Sequence, residues 1–332
     1  MKRVNNILDQ ITDYNNIMYA YYKACKGKKV KRRKAIKKFN LNFDQNINTI
    51  ISGLKTGDIK LGKYNVFTVY EPKERKIYAA EFPDRIIHHA LINILEPYFE
   101  KKMIYQCFAC RKEKGLDLAI KYVTKYCKLY PYYAKLDIHK YFDNIDHNIL
   151  IKKLYDIIKD KDVMNILIKI IKSYSTSKDK GIPIGNLTSQ YFANLYLSDM
   201  DHYIKNTLNI KGYCRYMDDF ILFDDKDIIK EKIKLLMDYI KNELYLELNP
   251  ILINTCNNGV PFLGYKITPF NKRLLIKTKK NFIKHFKKLE KLYSESKINK
   301  SKFIERLSPM INSLRRANCD GFIDKVVGNI II

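Results

Sequence analysis

The chain has 332 residues, more than one ordinary domain needs, and 46% of them are hydrophobic, enough for a sizeable core spread over two or three lobes. Its 62 lysines and arginines against 35 acids leave a net charge of +27. That excess is too large for an ordinary solvated surface, and nucleic acid is the expected partner ahead of an anionic membrane. No apolar run reaches the roughly 18 residues of a membrane span. No apolar signal core follows Met1-Lys2-Arg3-Val4-Asn5-Asn6. Seven scattered cysteines suit a reducing compartment, so the expectation is a cytoplasmic protein without membrane contact.

In chain order, the first 50 residues pattern as helix. Residues 26–38 hold a basic run dense enough to repel itself unless an anion screens it, which points to phosphate contact. Residues 66–70 and 76–80 read as two strands of a hairpin around Glu71-Pro72-Lys73-Glu74-Arg75. Apolar spacing at Ile87, Leu91, Ile94, Leu95 and Tyr98 predicts a helix over 84–99 that Pro97 bends or ends. His88-His89 on it are read as packing or RNA contacts. Cys107 and Cys110 have metal-ligand spacing, but no second pair completes a tetrahedral site, so they read as part-buried thiols. A helix follows Gly115 and stops at Pro131.

Residues 134–138, Ala-Lys-Leu-Asp-Ile, then form a strand-like run that carries an acid, Asp137. A helix-rich stretch (148–174), a Gly/Pro-punctuated loop (181–187) and a helix (188–204) come next. Tyr216-Met217-Asp218-Asp219 sits between the apolar, aromatic runs 213–216 and 220–223, which reads as strand, tight turn, strand. An amphipathic helix with Ile229, Ile233, Leu236, Ile240 and Leu244 ends at Asn249-Pro250. Residues 260–267 read as one short strand. Phe282, Phe286, Leu289 and Tyr293 stripe a last basic helix that also bears Lys284, Lys287, Lys288 and Lys291, and Arg315-Arg316 extend that basic surface. Mixed strands and helices of this kind make an α+β fold.

Two carboxylates at one hairpin tip repel each other and gain nothing from the core, so a divalent cation that prefers oxygen ligands is the natural counter-charge. A strand-borne acid, Asp137, added to a hairpin-borne pair, Asp218 and Asp219, is what two-metal phosphoryl transfer needs: cations roughly 3.5–4 Å apart that clamp the attacking and leaving oxygens. Asp143 and Asp146 read as caps or ion-pair partners, and Asp224, Asp225 and Asp227 as an acidic helix start.

The YMDD hairpin, the Asp137 strand and Gly181-Ile182-Pro183-Ile184-Gly185-Asn186-Leu187-Thr188-Ser189-Gln190 resemble the palm of a reverse transcriptase. Residues 82–91 (Phe-Pro-Asp-Arg-Ile-Ile-His-His-Ala-Leu), 108–112 (Phe-Ala-Cys-Arg-Lys) and 262–265 (Phe-Leu-Gly-Tyr) extend the likeness over about 70–265. Ile184 and Gln190 stand where most reverse transcriptases carry Gln and Pro, and this version resembles the enzymes of diversity-generating retroelements. The resemblance implies a right-hand polymerase fold. Its fingers and basic helical region would occupy 1–115, a palm of antiparallel sheet on helices 116–268 with about 148–185 inserted as further fingers, and a basic helical thumb 269–332. It implies two Mg²⁺ ions held by Asp137 and Asp218, joined by the Ile138 carbonyl, with Asp219 tuning the site or touching the primer end. Lys73 and Arg75 would grip the incoming triphosphate. Phe142 would lie under its sugar and reject a 2′-hydroxyl, and Ile184 and Gln190 would line the nascent pair. Lys284, Lys287, Lys288, Arg315 and Arg316 would contact nucleic acid.

The implied activity is error-prone RNA-directed DNA synthesis, in which a template-repeat RNA is copied into cDNA for diversification of a target gene. The implied partners are template RNA, cDNA, dNTPs and an oligomeric, basic, helical accessory variability protein. The rivals are a domesticated or defence-associated reverse transcriptase and an inactive RNA-binding scaffold, the latter opposed by three clustered acids. No maturase or nuclease segment is evident, so a complete group II intron protein is not expected.

Overall fold

Strand runs at 132–137 and 212–224 pair into an antiparallel sheet, and helices with two smaller sheets make up most of the rest of a computed structural model that describes residues 3–26, 30–70 and 74–328. The chain divides into two compact units, each drawn from three separate stretches.

The first unit comprises Met1–Cys110, Ile138–Leu208 and Leu235–Asn249. Its centre is the helix Phe82–Glu100, which packs against the helices Tyr14–Cys25 and Leu187–Tyr196. Phe82 meets Tyr21 and Phe39 edge-on, with ring centroids 5.9 and 5.2 Å away, and closes the N-terminal helices onto this core. Pro97 neither ends nor interrupts the helix. Its missing N–H takes one i→i−4 bond from the Asn93 carbonyl, yet the helix runs on to Glu100. The expected 188–204 helix is three pieces, Leu187–Tyr196, Ser198–His202 and a π-type turn Tyr203–Thr207, whose Tyr203 ring stacks on Tyr239 at 4.3 Å. Asp146 caps the helix His147–Tyr155 through the amides of Asn148 and Ile149. Strands β1 (Asn65–Val69) and β2 (Arg75–Ala79) form the expected hairpin.

The second unit comprises Arg111–Asp137, Asn209–Lys234 and Pro250–Ile332. Strands β3 (Tyr132–Asp137), β4 (Gly212–Tyr216), β5 (Asp219–Asp224) and β6 (Leu252–Thr255) lie in the order β4-β5-β3-β6, each antiparallel to its neighbours. The helix Leu116–Leu129 packs on this sheet: the Cys214 thiol meets the Ala119 carbonyl, and the Tyr126 ring sits 5.5 Å from that of Phe223. Residues 260–267 are not one strand. Val260–Phe262 (β7) turns at Leu263-Gly264 into Tyr265–Ile267 (β8), and Lys272–Leu274 (β9) pairs beyond it. Leu263 and Gly264 hold φ of 47° and 92°, the positive pair that a two-residue type I′ turn demands. Ring contacts Phe282–Phe286, Phe282–Phe322 and Tyr293–Phe303 then bind together the terminal helices Ile276–Ser294, Lys300–Leu314 and Asp320–Val327.

The helix Lys226–Leu244 buries the expected stripe Ile229, Ile233, Leu236, Ile240 and Leu244. Among the described residues, no helix is long and apolar enough to cross a membrane.

Candidate active site

The sheet brings the three acids to one end of the second unit. Asp137 closes β3 and is the direct cross-strand partner of Asp219, which opens β5, and Tyr216 pairs with Asp219 from β4. Met217 and Asp218 are therefore the two-residue loop between β4 and β5. Met217 takes a φ of 62°, an uncommon conformation for a side chain of its size, and the primed turns that suit tight hairpins require it. The fully buried Arg215 braces this strained turn: its Nη1 donates to the Met217 carbonyl at 2.9 Å. Acid 218 is thus presented on a fixed tip beside acids 137 and 219.

Lys135 lies two residues before Asp137, so strand alternation puts both on one face. Its Nζ donates to Asp219 Oδ2 at 2.8 Å and to the Pro261 carbonyl at 3.0 Å. Burial pushes the Asp219 carboxyl up to about 6. The Lys135 ammonium opposes that rise, while the negative charges of Asp137 and Asp218 add to it. The other oxygen, Asp219 Oδ1, is buried without a hydrogen-bond partner. An orphaned carboxylate oxygen beside two further acids has the hard-oxygen chemistry that a divalent cation fits. Among the described residues, no three His, Cys, Asp or Glu side chains are already gathered as a metal cage. Lys135 holds one Asp219 oxygen to itself.

The residues expected around the nucleotide belong to the first unit, where backbone hydrogen bonds tie them in sequence. Half-buried Phe142 lies on the short helix Tyr141–Asn144, and its carbonyl accepts from Ile182 N at 2.9 Å. Gly181 N donates to the Ile145 carbonyl at 2.8 Å, so the 181–187 loop is pinned along the Phe142 segment. On its other side the loop joins β2: Tyr78 N donates to the Ile184 carbonyl at 2.8 Å, and Ala80 N to Asn186 Oδ1 at 2.9 Å. Gly185 has a φ of 118°, and a Cβ there would stand 2.6 Å from Ile77 Cγ2, so only glycine lets loop and hairpin approach this closely. The structure therefore connects Phe142, Ile184 and the β1–β2 hairpin through one loop.

Gln190 is half-buried on the following helix. Arg75 is exposed at the start of β2, and Lys73 lies outside the described residues, as does part of the basic run at 26–38. Ile138 is buried and pairs with Leu248. Lys284, Lys287 and Lys288 are exposed on the helix Ile276–Ser294. Arg315 is exposed, whereas the Arg316 guanidinium is paired with Asp117.

Three residues escaped the sequence reading. Lys135 and Arg215 are cations inside otherwise apolar strands, and that oddity was the available signal. Asn186 had none beyond its place in the loop.

A family model described as "Reverse transcriptase (RNA-dependent DNA polymerase)" matches residues 70–267. A putative COX1/OXI3 intron 2 protein of Saccharomyces cerevisiae is 24% identical, with 84% of this chain and 41% of that protein covered. The group II intron-encoded protein LtrA of Lactococcus lactis subsp. cremoris is also 24% identical, over 68% of this chain and 50% of that protein. The chain thus spans half or less of the length of these two relatives. Among solved structures, a telomerase from Candida tropicalis in complex with a fragment of telomeric RNA aligns with a TM-score of 0.50 at 12% identity, over 85% of this chain and 58% of that one. The α+β architecture with antiparallel sheets is that of the right-hand polymerases. With the family model covering more than half its length, the chain belongs to the reverse transcriptase (RNA-dependent DNA polymerase) family.

Proposed function

We propose that this chain is an RNA-directed DNA polymerase that extends a primer with deoxynucleotides. The observation that carries the proposal is the cross-strand pair Asp137–Asp219 with Asp218 on the adjoining braced turn. Asp137 and Asp218 would hold two divalent cations, Mg²⁺ first among candidates, with the Ile138 carbonyl beside them. When bound, these cations activate the primer hydroxyl and stabilise charge on the leaving pyrophosphate. Asp219, shared with Lys135, sets the charge of the site and the orientation of its neighbours.

Phe142 excludes ribonucleotides by filling the space of a 2′-hydroxyl. Ile184 and Gln190 shape the nascent pair, Lys73 and Arg75 steady the triphosphate, and Lys284, Lys287, Lys288 and Arg315 hold nucleic-acid phosphates, whereas Arg316 is engaged by Asp117. In hand terms, 1–115 belong to the fingers, 116–268 to the palm and 269–332 to the thumb. Template RNA, its cDNA and dNTPs are the corresponding partners.

Ile184 and Gln190 support the finer reading, an error-prone enzyme of a diversity-generating retroelement served by an oligomeric basic accessory protein. Ile184 offers the nascent pair shape without a hydrogen bond. A second reading, an intron-type reverse transcriptase, is favoured by the intron-encoded relatives, so the group II intron class set aside on sequence stands beside the first.

The experiment is dNTP incorporation on a primed RNA with Mg²⁺. Asp218→Asn should abolish incorporation and leave RNA affinity nearly intact. Activity near wild type in Asp218→Asn/Asp219→Asn would end the reading.

A further inference from the structure

Apart from the acids, the second unit carries a groove of about 810 Å³ along the outer side of the helix Leu116–Leu129. Six of its ten lining residues are cations, Lys121, Lys125 and Lys128 from that helix, Lys272 from β9, and Arg315 and Arg316 after the helix Lys300–Leu314, set around an apolar floor that includes Ile120 and Leu129. Asp117 is the one acid among the lining residues, and Arg316 takes it, with Nη2 3.2 Å from Oδ2 as the second of two hydrogen bonds. That pair cancels itself. Asp117 also feels Lys272, which leaves four cations, Lys121, Lys125, Lys128 and Arg315, lining one cavity with no further acid among its lining residues.

The helix has a second face that explains its position. Ala119, Val123, Tyr126 and Cys127 are buried, and they meet the sheet and the β7–β9 ribbon through Cys214, Phe223 and the Ile267 carbonyl. The lysines therefore do not serve the core. They recur at i, i+4 and i+7, one stripe with steps of about 6 and 4.5 Å along the axis, comparable to the advance from phosphate to phosphate along a nucleic-acid strand. Fold stability does not require like charges in such a row, and they repel unless an anion screens them.

We propose that this groove is a docking track for RNA phosphates, separate from the Asp137–Asp218–Asp219 end of the sheet. It would hold the RNA at a distance from the chemistry. Lys128 stands just before the start of β3, whereas Asp137 closes that strand's other end. The inference rests on RNA being this chain's substrate. An acidic protein or an anionic bilayer would find the same charge, but a groove of about 810 Å³ with a linear stripe of lysines along one side suits a thin polyanion better than a broad surface.

The test is Lys121→Gln/Lys125→Gln/Lys128→Gln in the full chain, with two readouts. Binding to unprimed poly(A) is measured against salt, and primer extension is measured on a short oligo(A)–oligo(dT) duplex. Each phosphate contact on a single strand contributes about 0.7 to the log–log salt slope, so three lost contacts should make the slope shallower by about 2. Extension of the short duplex should stay at the wild-type rate. An unchanged slope overturns the proposal and leaves the charge to some other partner. A parallel loss of short-duplex extension also overturns it, because the lysines would then act in the polymerising cleft. Should wild type itself fail to extend the primer, the polymerase reading falls, while the slope comparison still decides whether the groove binds RNA.

Discussion

Asn186→Ala tests whether the loop carrying Ile184 is positioned by the hairpin beside it. Asn186 is 3% exposed and Ala80 is 6% exposed, and the bond from Ala80 N to Asn186 Oδ1 is 2.9 Å long. Truncation leaves the Ala80 N–H without an acceptor in a place that water does not reach, at a cost of about 1–3 kcal/mol. The companion bond from Tyr78 N to the Ile184 carbonyl survives, so the loop keeps one of its two bonds to the hairpin side while its bonds to the Phe142 segment are untouched. A bias of that size changes the balance between attached and detached loop by a factor of about 5–150. Two outcomes are expected: an unfolding free energy lower by about 1–3 kcal/mol in a denaturant titration, and a raised KM for the correct dNTP with an altered ratio of right to wrong insertion. Asn46→Ala serves as the control. It removes another backbone hydrogen bond, from Asn46 Nδ2 to the Phe39 carbonyl at 2.7 Å, in a helix that bears none of the proposed site residues. It should lower stability without moving KM or the insertion ratio. If Asn186→Ala loses stability as calculated yet keeps wild-type KM and error spectrum, the loop does not shape the nucleotide site through this bond.

Phe142→Ala should admit ribonucleotides, read as rNTP against dNTP incorporation on one template; undiminished rejection would put the steric barrier elsewhere. Ile184→Gln should lower misinsertion opposite template adenine by a few-fold, since one restored hydrogen bond contributes about 0.5–1.5 kcal/mol, and sequencing cDNA from a defined RNA checks it. Asp84 is buried, and its carboxylate accepts from Gly62 N at 2.9 Å. Burial pushes it up from 3.8 to about 6 despite that bond, with Glu81 adding to the rise. A folded pKa above the unfolded one means that the folded state holds the proton more tightly, so Asp84 costs stability as pH climbs from about 4 to about 6, by up to about 3 kcal/mol. His88 works in the opposite direction, because burial holds its pKa down at about 3 and acid must charge it. Unfolding should therefore be followed in wild type and Asp84→Asn together, where a difference that does not change between pH 4 and 6 would contradict the assignment.

The acids were legible because their setting was anomalous: Asp218-Asp219 between two apolar, aromatic runs can hardly be anything but a hairpin tip, and the ladder places them there. The stripe from Ile229 to Leu244 was legible through its period, which burial in a helix enforces. Residues 260–267 misled because a two-residue turn at Leu263-Gly264 leaves apolar residues on both sides, so composition shows one run where the backbone reverses. Pro97 does not end the helix, which runs on to Glu100, because a proline removes one backbone bond and a well-packed helix keeps the rest. Neither the Lys135–Asp219 bond nor the link from Asn186 to Ala80 could be read in advance, since both depend on the register of segments 84 and 106 residues apart.

The two units divide the proposed labour in a way that bears on how such an enzyme could change its fidelity. Asp137, Asp218 and Asp219 belong to one unit and are fixed by a strand ladder and the buried Arg215 brace. Phe142, Ile184, Gln190 and Arg75 belong to the other, where a loop with two positive-φ glycines, Gly181 and Gly185, is held by a few backbone bonds. A ladder resists substitution, because a one-residue slip moves every side chain to the wrong face. A loop bonded through its backbone tolerates a change of side chain at Ile184, because the bond from Tyr78 is made by the carbonyl and is indifferent to what the residue carries. The position proposed to face the nascent pair is thus one that the fold holds through its backbone carbonyl. Selection could replace a hydrogen-bonding residue with isoleucine there, and relax discrimination, without disturbing the carboxylates proposed to perform the transfer.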